Sequence, residues 1–198
     1  MRDTIVAAAK KVFLREGYQA SIDSIIAAVG IARQTLYNHF KDKRSLFQAV
    51  IESVSAQTMM PLRTLSLGVD EPLESALRQF GEAYMRGMLN PDNLATTRLI
   101  SSAIHEFPEV GRFAYETGSK RSIALLADYL KTQRKAGRIR AVSPEAVAES
   151  FYGALVGPAR FRYLLGVNVV TTPRQQRAYV QQIVQLYVRG LTTRMGAS

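Results

Sequence analysis

The chain has 198 residues, no cysteine, and 26 lysine and arginine residues against 16 aspartate and glutamate residues, so its formal net charge is +10. The absence of cysteine excludes disulfides, thiolate metal sites and cysteine redox chemistry, and no apolar run is long enough to cross a membrane. The positive charge favours a polyanionic partner, with a generally basic solvated surface as the alternative, because the excess is spread over the whole sequence. The first residues lack the unbroken apolar stretch of a signal peptide, which predicts a soluble cytoplasmic protein.

Two helices are predicted before residue 31, and each ends at a glycine. Apolar residues at the 3.6-residue spacing predict the first helix, which Gly17 ends, with Tyr18 folding back onto Phe13. Ser21 is a suitable N-cap for the second helix. Gly30 is expected to end that helix in the left-handed conformation, which glycine adopts without steric strain.

A third predicted helix, residues 33–40, divides its side chains between two faces. Leu36 and Phe40 lie four residues apart, so they share one side and are expected to be buried. This pattern is typical of a helix-turn-helix whose second helix enters the major groove of DNA; an ordinary solvated helix face is the alternative. The polar face and the cations that follow it comprise Arg33, Gln34, Tyr37, Asn38, Lys41, Lys43 and Arg44.

The rest of the chain also follows helical patterns, which predicts an all-α fold. Asp42 is expected to cap a fourth helix that ends at Pro61. Ser143 and Thr172 each precede a proline, an arrangement typical of a helix start. The only β-like run, at 167–172, is short and isolated. Further helices are predicted at 73–88, 93–105, a short piece after Pro108, 119–136, 144–165 and 173–194.

Several residues among the first 55 stand in an order and spacing that are typical of one protein family. The most specific string consists of Leu36, Tyr37, His39, Phe40 and Lys43. Through it, the first 55 residues resemble the DNA-binding domain of the TetR/AcrR family of bacterial transcriptional repressors. Residues 93–166 are similar to the C-terminal domain of AefR-like members. The other matching residues are Gly17, Tyr18, Ser21, Ile25, Gly30, Ile31, Thr35, Leu46 and Phe47.

The resemblance implies an architecture and a function. It implies a three-helix helix-turn-helix DNA-binding domain at 1–45 and a helical ligand-binding and dimerisation domain at 46–198, with a helix at 42–60 connecting the two. The implied function is a homodimeric repressor that a small-molecule ligand releases from a palindromic operator in double-stranded DNA. No cofactor, membrane partner or enzymatic activity is expected.

Carried over by position, the resemblance implies two groups of DNA contacts. Arginine can fork onto guanine, and glutamine or asparagine onto adenine, whereas phosphate contacts set the register without reading sequence. Tyr37 could instead be half-buried near Leu36, and His39 could equally be a core histidine. The implied base contacts are Arg33, Gln34, Thr35 and Asn38, and the implied phosphate contacts are Ser21, Tyr37, His39 and Lys43.

The second half of the chain is rich in aromatic side chains, most of which are expected to form a core. Since ligand sites in helical bundles are apolar with a few polar groups, the resemblance implies that some of these side chains line a pocket. His105 has no further ligands at metal-binding spacing, so no metal site is predicted. Candidate pocket residues are Phe80, Tyr84, Met88, Arg98, Ser102, Tyr115, Phe151 and Tyr152.

The last two long helices are expected to pair with their copies in a dimer. The apolar stripe of the last helix is longer than one-sided packing needs, and Gly153 and Gly157, one turn apart, allow a partner helix to approach closely. The alternative is that the stripe merely closes the core of the monomer. The predicted interface consists of Gly153, Gly157, Val180, Val184, Tyr187, Val188 and Leu191.

Three positions depart from the family pattern. Ala32 stands where a serine or threonine is usual, and the loss of its cap costs roughly 1 kcal/mol. Ile26 and Val29 replace small residues, which affects the angle between the second and third helices.

Two other functions are alternatives to a ligand-released repressor. The first is a DNA-binding protein without a ligand, and the large aromatic-rich second half of the chain argues against it. The second is an enzyme, and the missing catalytic clusters argue against that.

Overall fold

The structure is a computed structural model that describes residues 1–65, 68, 70–167 and 172–192. All regular secondary structure in this part of the chain is helical, which confirms the all-α prediction. The β-like run at 167–172 and the end of the predicted helix 173–194 lie largely outside the described residues. The helices are α1 (Arg2–Glu16), α2 (Ile22–Val29), α3 (Arg33–His39), α4 (Lys43–Arg63), α5 (Leu73–Met88), α6 (Pro91–Ala103), α7 (Pro108–Ala114) with a π-helical turn at Tyr115–Ser119, α8 (Lys120–Lys135), α9 (Pro144–Leu164) and α10 (Pro173–Leu191).

The predicted caps of α2 and α4 are present. The Ser21 hydroxyl accepts a hydrogen bond from the Ser24 amide at 2.9 Å, and Gly30 ends α2 at φ 75° and ψ 38°, in the left-handed region. The Asp42 carboxylate accepts the Ser45 amide at 2.7 Å. This bond from Ser45 stabilises the ionised form and lowers the pKa of the Asp42 carboxyl. At the start of α4, the Asp42 side chain therefore satisfies one of the amides that lack a helical partner, that of Ser45.

The predicted end of the fourth helix is wrong, because α4 continues through Pro61 to Arg63. Proline lacks an amide hydrogen, so its position in the last turn removes one helical hydrogen bond. The chain beyond it still forms such a bond, from the Thr64 amide to the Met60 carbonyl at 3.3 Å. One lost bond near the end of a 21-residue helix is not enough to stop it.

The chain divides into two compact units. Unit 1 comprises Met1–Gln57 and Pro91–Ser119, and unit 2 comprises Thr58–Asn90 and the described part of Lys120–Ser198. Residues 91–119 thus pack with the N-terminal helices, although they lie far along the chain. The domain boundary between residues 45 and 46 stays a prediction.

The core of unit 1 is aromatic and holds the three N-terminal helices together. Phe13 and Phe47 are fully buried, and their ring centroids are 5.0 Å apart in an edge-to-face arrangement. The Tyr18 ring packs 4.9 Å from Phe47 and 4.6 Å from Phe107. Leu36 has no exposed surface, so α3 is fixed to this core by the face that the sequence predicts to be apolar.

The core of unit 2 is formed by α5, α8, α9 and α10. Phe80 stacks on Tyr84 with ring centroids 5.6 Å apart, and Tyr84 lies 4.5 Å from Tyr152. α5 and α10 approach closely at Gly81, where an added Cβ atom would lie 2.9 Å from a methyl group of Val180. A side chain at position 81 would therefore push the two helices apart.

The dimer prediction needs a correction at three residues. Val180 and Val184 have no exposed surface, Leu191 is 4 % exposed, and all three belong to the core of unit 2. They cannot contact a partner chain, because α5 and α9 already cover this side of α10. Tyr187 and Val188 are partly buried, and Gly153 is exposed, so the interface role of these residues and of Gly157 stays a prediction.

Tyr84→Phe is expected to stabilise the protein by about 1 kcal/mol, because the buried Tyr84 hydroxyl has no hydrogen-bond partner among the residues that the structure describes. Tyr129 is the matched control, since its hydroxyl donates to the Glu71 carbonyl at 2.9 Å. Tyr129→Phe should therefore destabilise the protein by about 1 kcal/mol. Urea unfolding followed by circular dichroism measures both changes. A destabilised Tyr84→Phe variant would contradict the assignment of an unsatisfied hydroxyl.

Candidate nucleic-acid interface

α3 presents one polar face outward from a buried anchor. Leu36 has no exposed surface and Phe40 is 3 % exposed, so both point into the core of unit 1. The side chains on the other face are exposed, including Arg33, Gln34 and Asn38. Burial of Leu36 and Phe40 therefore fixes the rotation of α3 about its own axis and leaves the predicted DNA-reading face uncovered in this unit.

The polar groups on this face already interact with one another. The Arg33 guanidinium forms an ion pair with the Asp23 carboxylate at the start of α2, and the Gln34 amide nitrogen donates to the Asn38 amide oxygen at 3.0 Å. Both pairs are exposed, so each interaction is weak. Arg33, Gln34 and Asn38 are thus aligned along the helix but can exchange their partners for base edges at low cost.

Cations lie at the start of α4, just beyond the end of α3. The Lys43 ammonium lies over the Tyr18 ring, 4.7 Å from its centroid, and Arg44 pairs with Glu109 at 3.4 Å. Lys41 is exposed. The stacking on Tyr18 holds the Lys43 stem against the protein and leaves its charge at the edge of the polar face.

The structure separates the alternatives for Tyr37 and His39. Tyr37 is 40 % exposed, so more than half of its surface is packed and the rest is accessible to a partner. His39 is exposed, so the interpretation as a core histidine is wrong: the neighbouring Phe40 takes the buried position. Thr35 is half-buried. The Ser21 hydroxyl accepts the Ser24 amide at 2.9 Å and shares a second hydrogen bond with the Ser24 hydroxyl at 2.9 Å, in which either oxygen can donate.

This arrangement suits the edge of a DNA duplex. Guanidinium and amide groups in the middle of the face match the donor and acceptor pattern of base edges in the major groove. Hydroxyl groups and cations on both sides of it match phosphates, which fix the position of a protein on DNA. Sequence reasoning missed one member of the face, Asp23, because its pairing with Arg33 depends on how α2 and α3 cross.

Ala32→Ser is expected to stabilise unit 1 by about 0.5–1 kcal/mol, because Ala32 has the extended backbone of an N-cap without a side-chain acceptor. Ser21→Ala is the converse change and should destabilise it by about 1 kcal/mol, since it removes the hydroxyl that caps α2. Thermal and urea unfolding of both variants provide the measurement. Equal stability of Ala32→Ser and the parent protein would show that the start of α3 needs no cap.

The eight candidate pocket residues do not come together in one unit. Phe80, Tyr84 and Phe151 are almost wholly enclosed in the core of unit 2, where Met88 and Tyr152 also lie. Arg98, Ser102 and Tyr115 belong to unit 1. Their role in ligand binding stays a prediction.

A different set of residues lines a cavity within unit 2. This cavity has a volume of about 640 Å³ and lies between the end of α5, the second half of α9 and the start of α10. None of the eight predicted residues borders it. Among the lining residues Phe161 is a large apolar side chain that is 64 % exposed, which the sequence alone does not reveal. The lining residues are Met85, Leu89, Leu155, Pro158, Ala159, Phe161, Arg162, Gln175, Gln176 and Tyr179.

Two other features, a membrane-spanning helix and a metal-binding cluster, are absent from the described residues. No helix among them is both long enough and apolar enough to cross a membrane. They also contain no cluster of three or more histidine and acidic side chains that could hold a metal ion.

Two family models together match most of the chain. Residues 5–50 match the bacterial regulatory proteins of the tetR family. Residues 75–190 match the C-terminal domain of the AefR-like transcriptional repressors. The first match covers α2 and α3, which form the candidate interface, and the second covers the cavity-bearing helices of unit 2.

Individual relatives agree with the family models. The chain is 27 % identical over 152 residues to the HTH-type transcriptional repressor Rv1474c of Mycobacterium tuberculosis, a match that covers 76 % of this chain and 75 % of the relative. A solved structure named flavonoid-responsive regulator FrrA is 26 % identical, covers 98 % of this chain and 97 % of its own, and superposes with a TM-score of 0.80. A Mesorhizobium loti protein assigned to the TetR family shares the fold, with a TM-score of 0.87, 23 % identity and coverage of 97 % and 96 %.

Proposed function

Because this chain belongs to the TetR family of DNA-binding transcriptional regulators, we propose that it is a homodimeric repressor released from a palindromic operator by a small molecule. Members of the family regulate transcription and are not enzymes. The proposal rests first on the exposed polar face of α3, held outward by Leu36 and Phe40. The proposed place of action is the cytoplasm, where bacterial DNA lies.

The proposed docking places α3 in the major groove. Arg33, Gln34, Thr35 and Asn38 would contact base edges, and Ser21, Tyr37, His39 and Lys43 would contact phosphates. Arg33 would leave Asp23 for a guanine, an exchange that is inexpensive because both side chains are exposed, at 57 % and 72 %. One such helix makes few contacts, and a two-fold axis that brings a second copy to an adjacent turn of DNA doubles them.

The proposed dimer uses a stripe on α9 and α10 that is exposed at Phe161 and Leu186 and borders the unit 2 core at Ile183. On α9, added Cβ atoms at Gly153 and Gly157 would meet nothing within 4 Å, and Phe161 is 64 % exposed. On α10, Leu186 is also 64 % exposed. We name this set the outer stripe; its members are Gly153, Gly157, Phe161 and Leu164 of α9 and Ile183, Leu186 and Gly190 of α10.

The spacing of the outer stripe supports a bundle of four helices. Its α9 members lie at intervals of four, four and three residues, and its α10 members at three and four, so each set runs along one side of its helix. Two glycines one turn apart let a partner helix approach closely, and two exposed large apolar residues supply the buried area. Such a face left in water is unusual for a monomer.

The cavity in unit 2 is the proposed effector site. Its volume of about 640 Å³ falls in the range of small-molecule sites, and its lining combines apolar side chains with a few polar groups, as such sites do. A relative is named a flavonoid-responsive regulator, and an effector for this chain is proposed by analogy. The effector can release DNA only if it binds the DNA-free conformer more tightly than the DNA-bound one.

Recovery of bound DNA from cells, followed by sequencing, tests the proposal. We expect a small set of fragments that share a palindrome. Fluorescence anisotropy with a recovered fragment and a scrambled version then measures specific binding at several salt concentrations. Equal affinity for both fragments would contradict a sequence-specific repressor and favour a general DNA-binding protein.

A further inference from the structure

The polar groups of the unit 2 cavity point to the chemical class of its ligand. Its apolar wall is formed by α5 and α9 residues, among them Met85, Leu89 and Leu155. Of the ten lining residues, Arg162 is the only charged one. The wall therefore combines an apolar surface with a single positive charge.

Pro158, one of the lining residues of the cavity, lies inside α9 without ending that helix. Pro158 lacks an amide hydrogen, so the Ala154 carbonyl one turn earlier has no helical donor. The Tyr179 hydroxyl of α10 donates to that carbonyl at 2.7 Å. This bond satisfies the orphaned carbonyl and uses the hydroxyl hydrogen of Tyr179, so Tyr179 offers a ligand its ring rather than a donor.

The remaining donors are Arg162 and the Gln175 amide. The Gln175 side-chain oxygen accepts the Thr172 amide at 2.8 Å in the cap of α10, which leaves its NH₂ group available. Among the described residues the Arg162 guanidinium has neither an ion-pair partner nor a hydrogen bond. The chain also contains no acidic residue between Arg162 and Pro173. The cavity thus offers several N–H donors and no carboxylate of its own.

Resting on the proposed function, we propose that the effector is an amphipathic carboxylate whose acid group binds Arg162 and whose apolar body packs against Met85, Leu89 and Leu155. A guanidinium can form two parallel hydrogen bonds with a carboxylate, and an ionised acceptor makes these bonds stronger than neutral ones. Part of the water around Arg162 is displaced by the apolar body, which strengthens the ion pair relative to a fully exposed one.

A smaller cavity adjoins the larger one. It has a volume of about 210 Å³, shares Met85 and Gln176 with the larger one, and is lined also by Glu82, Arg86 and Arg177. The proposal places the acid group at Arg162, because that cation lines the larger cavity itself, and the apolar body extends toward Met85.

Matched ligand pairs test the proposal on the full-length protein. The panel consists of decanoate, 2-naphthoate and 4-phenylbutyrate, each with its neutral methyl ester. Isothermal titration calorimetry is expected to show at least one acid that binds about 10- to 100-fold more tightly than its ester, the range for a charge-assisted hydrogen bond. Esters that bind as tightly as their acids, or no acid that binds at 1 mM, would overturn the proposal.

Arginine substitutions test whether Arg162 supplies the positive charge that binds the acid. Arg162→Gln should reduce the affinity for the acid about 10- to 100-fold and leave that for the ester unchanged, and Arg162→Lys should lose less. Arg174→Gln removes an exposed cation of α10 that does not border the cavity, and it should bind the acid like the parent protein. Equal losses in Arg162→Gln and Arg174→Gln would overturn the site. Thermal melting of each variant without ligand verifies its fold.

The same reagents separate this inference from the proposed function. Operator binding without ligand is measured first, so a protein that fails to bind DNA refutes the repressor proposal alone. An acid that binds through Arg162 but leaves the operator complex intact supports the site and refutes the effector role. An acid that releases the operator from the parent protein but not from Arg162→Gln supports both.

Discussion

Leu186→Glu is expected to convert the protein into a folded monomer and to weaken operator binding by about 10²- to 10⁴-fold, the usual gain from joining two binding heads. Leu186 is 64 % exposed in the outer stripe, so the glutamate costs the monomer little. In a dimer it would bury an uncompensated charge against an apolar partner surface. Light scattering measures the mass, and anisotropy measures affinity for the recovered operator.

Two other glutamate variants show whether position or charge is responsible. Gln185→Glu adds the same charge on an exposed side of α10 away from the outer stripe, and it should leave the dimer and the operator affinity unchanged. Val184→Glu places the charge in the core of unit 2, where Val184 has no exposed surface, so it should unfold that unit rather than release intact monomers. A monomeric parent protein at micromolar concentration would refute the dimer.

Arg33→Ala is expected to weaken operator binding by about 1–3 kcal/mol in each half-site and to relax the preference at one base position. Its side chain lies on the exposed face of α3 and pairs only with the exposed Asp23 in the described part of the chain. The parent fold should survive, since an exposed ion pair contributes little stability. Competition between operator variants that differ at single positions measures the change in preference.

Lys43→Ala is the control for this experiment, because a phosphate contact carries no sequence information. It should weaken binding to operator and scrambled DNA alike and reduce the slope of log affinity against log salt by about one unit. If Arg33→Ala behaves in the same way, Arg33 contacts phosphate rather than a base. Unchanged affinity and preference in Arg33→Ala would mean that α3 does not read DNA as proposed.

The sequence by itself determined most of the helices and the exposed polar face of α3. Caps at Ser21 and Asp42 and the glycine at position 30 act within one or two turns, so their effect can be read without the rest of the chain. The face of α3 follows equally from local spacing, because Leu36 and Phe40 must share a side wherever the helix packs. The predicted end of the fourth helix at Pro61 was wrong, because a proline close to a helix end removes only one helical hydrogen bond, which is too little to stop the helix.

Only the tertiary structure decided what the apolar faces of unit 2 contact. α10 carries two apolar stripes, one through Val180 and Val184 and one through Ile183 and Leu186, and their spacing is equally regular. The first is enclosed by α5 and α9, while Leu186 of the second remains exposed. Periodicity reports that residues share a side of a helix, but the side that is buried depends on neighbours far apart in sequence.

The cavity also depended on the tertiary structure. The aromatic residues Phe80, Tyr84 and Phe151 fill the core, whereas the cavity is lined by other residues, among them Pro158 of α9 and Tyr179 of α10. Composition predicts that an aromatic-rich segment has enough apolar volume for a core or a pocket, but it cannot distinguish the two. That distinction rests on close packing, in which the space left empty is set by all the surrounding helices together.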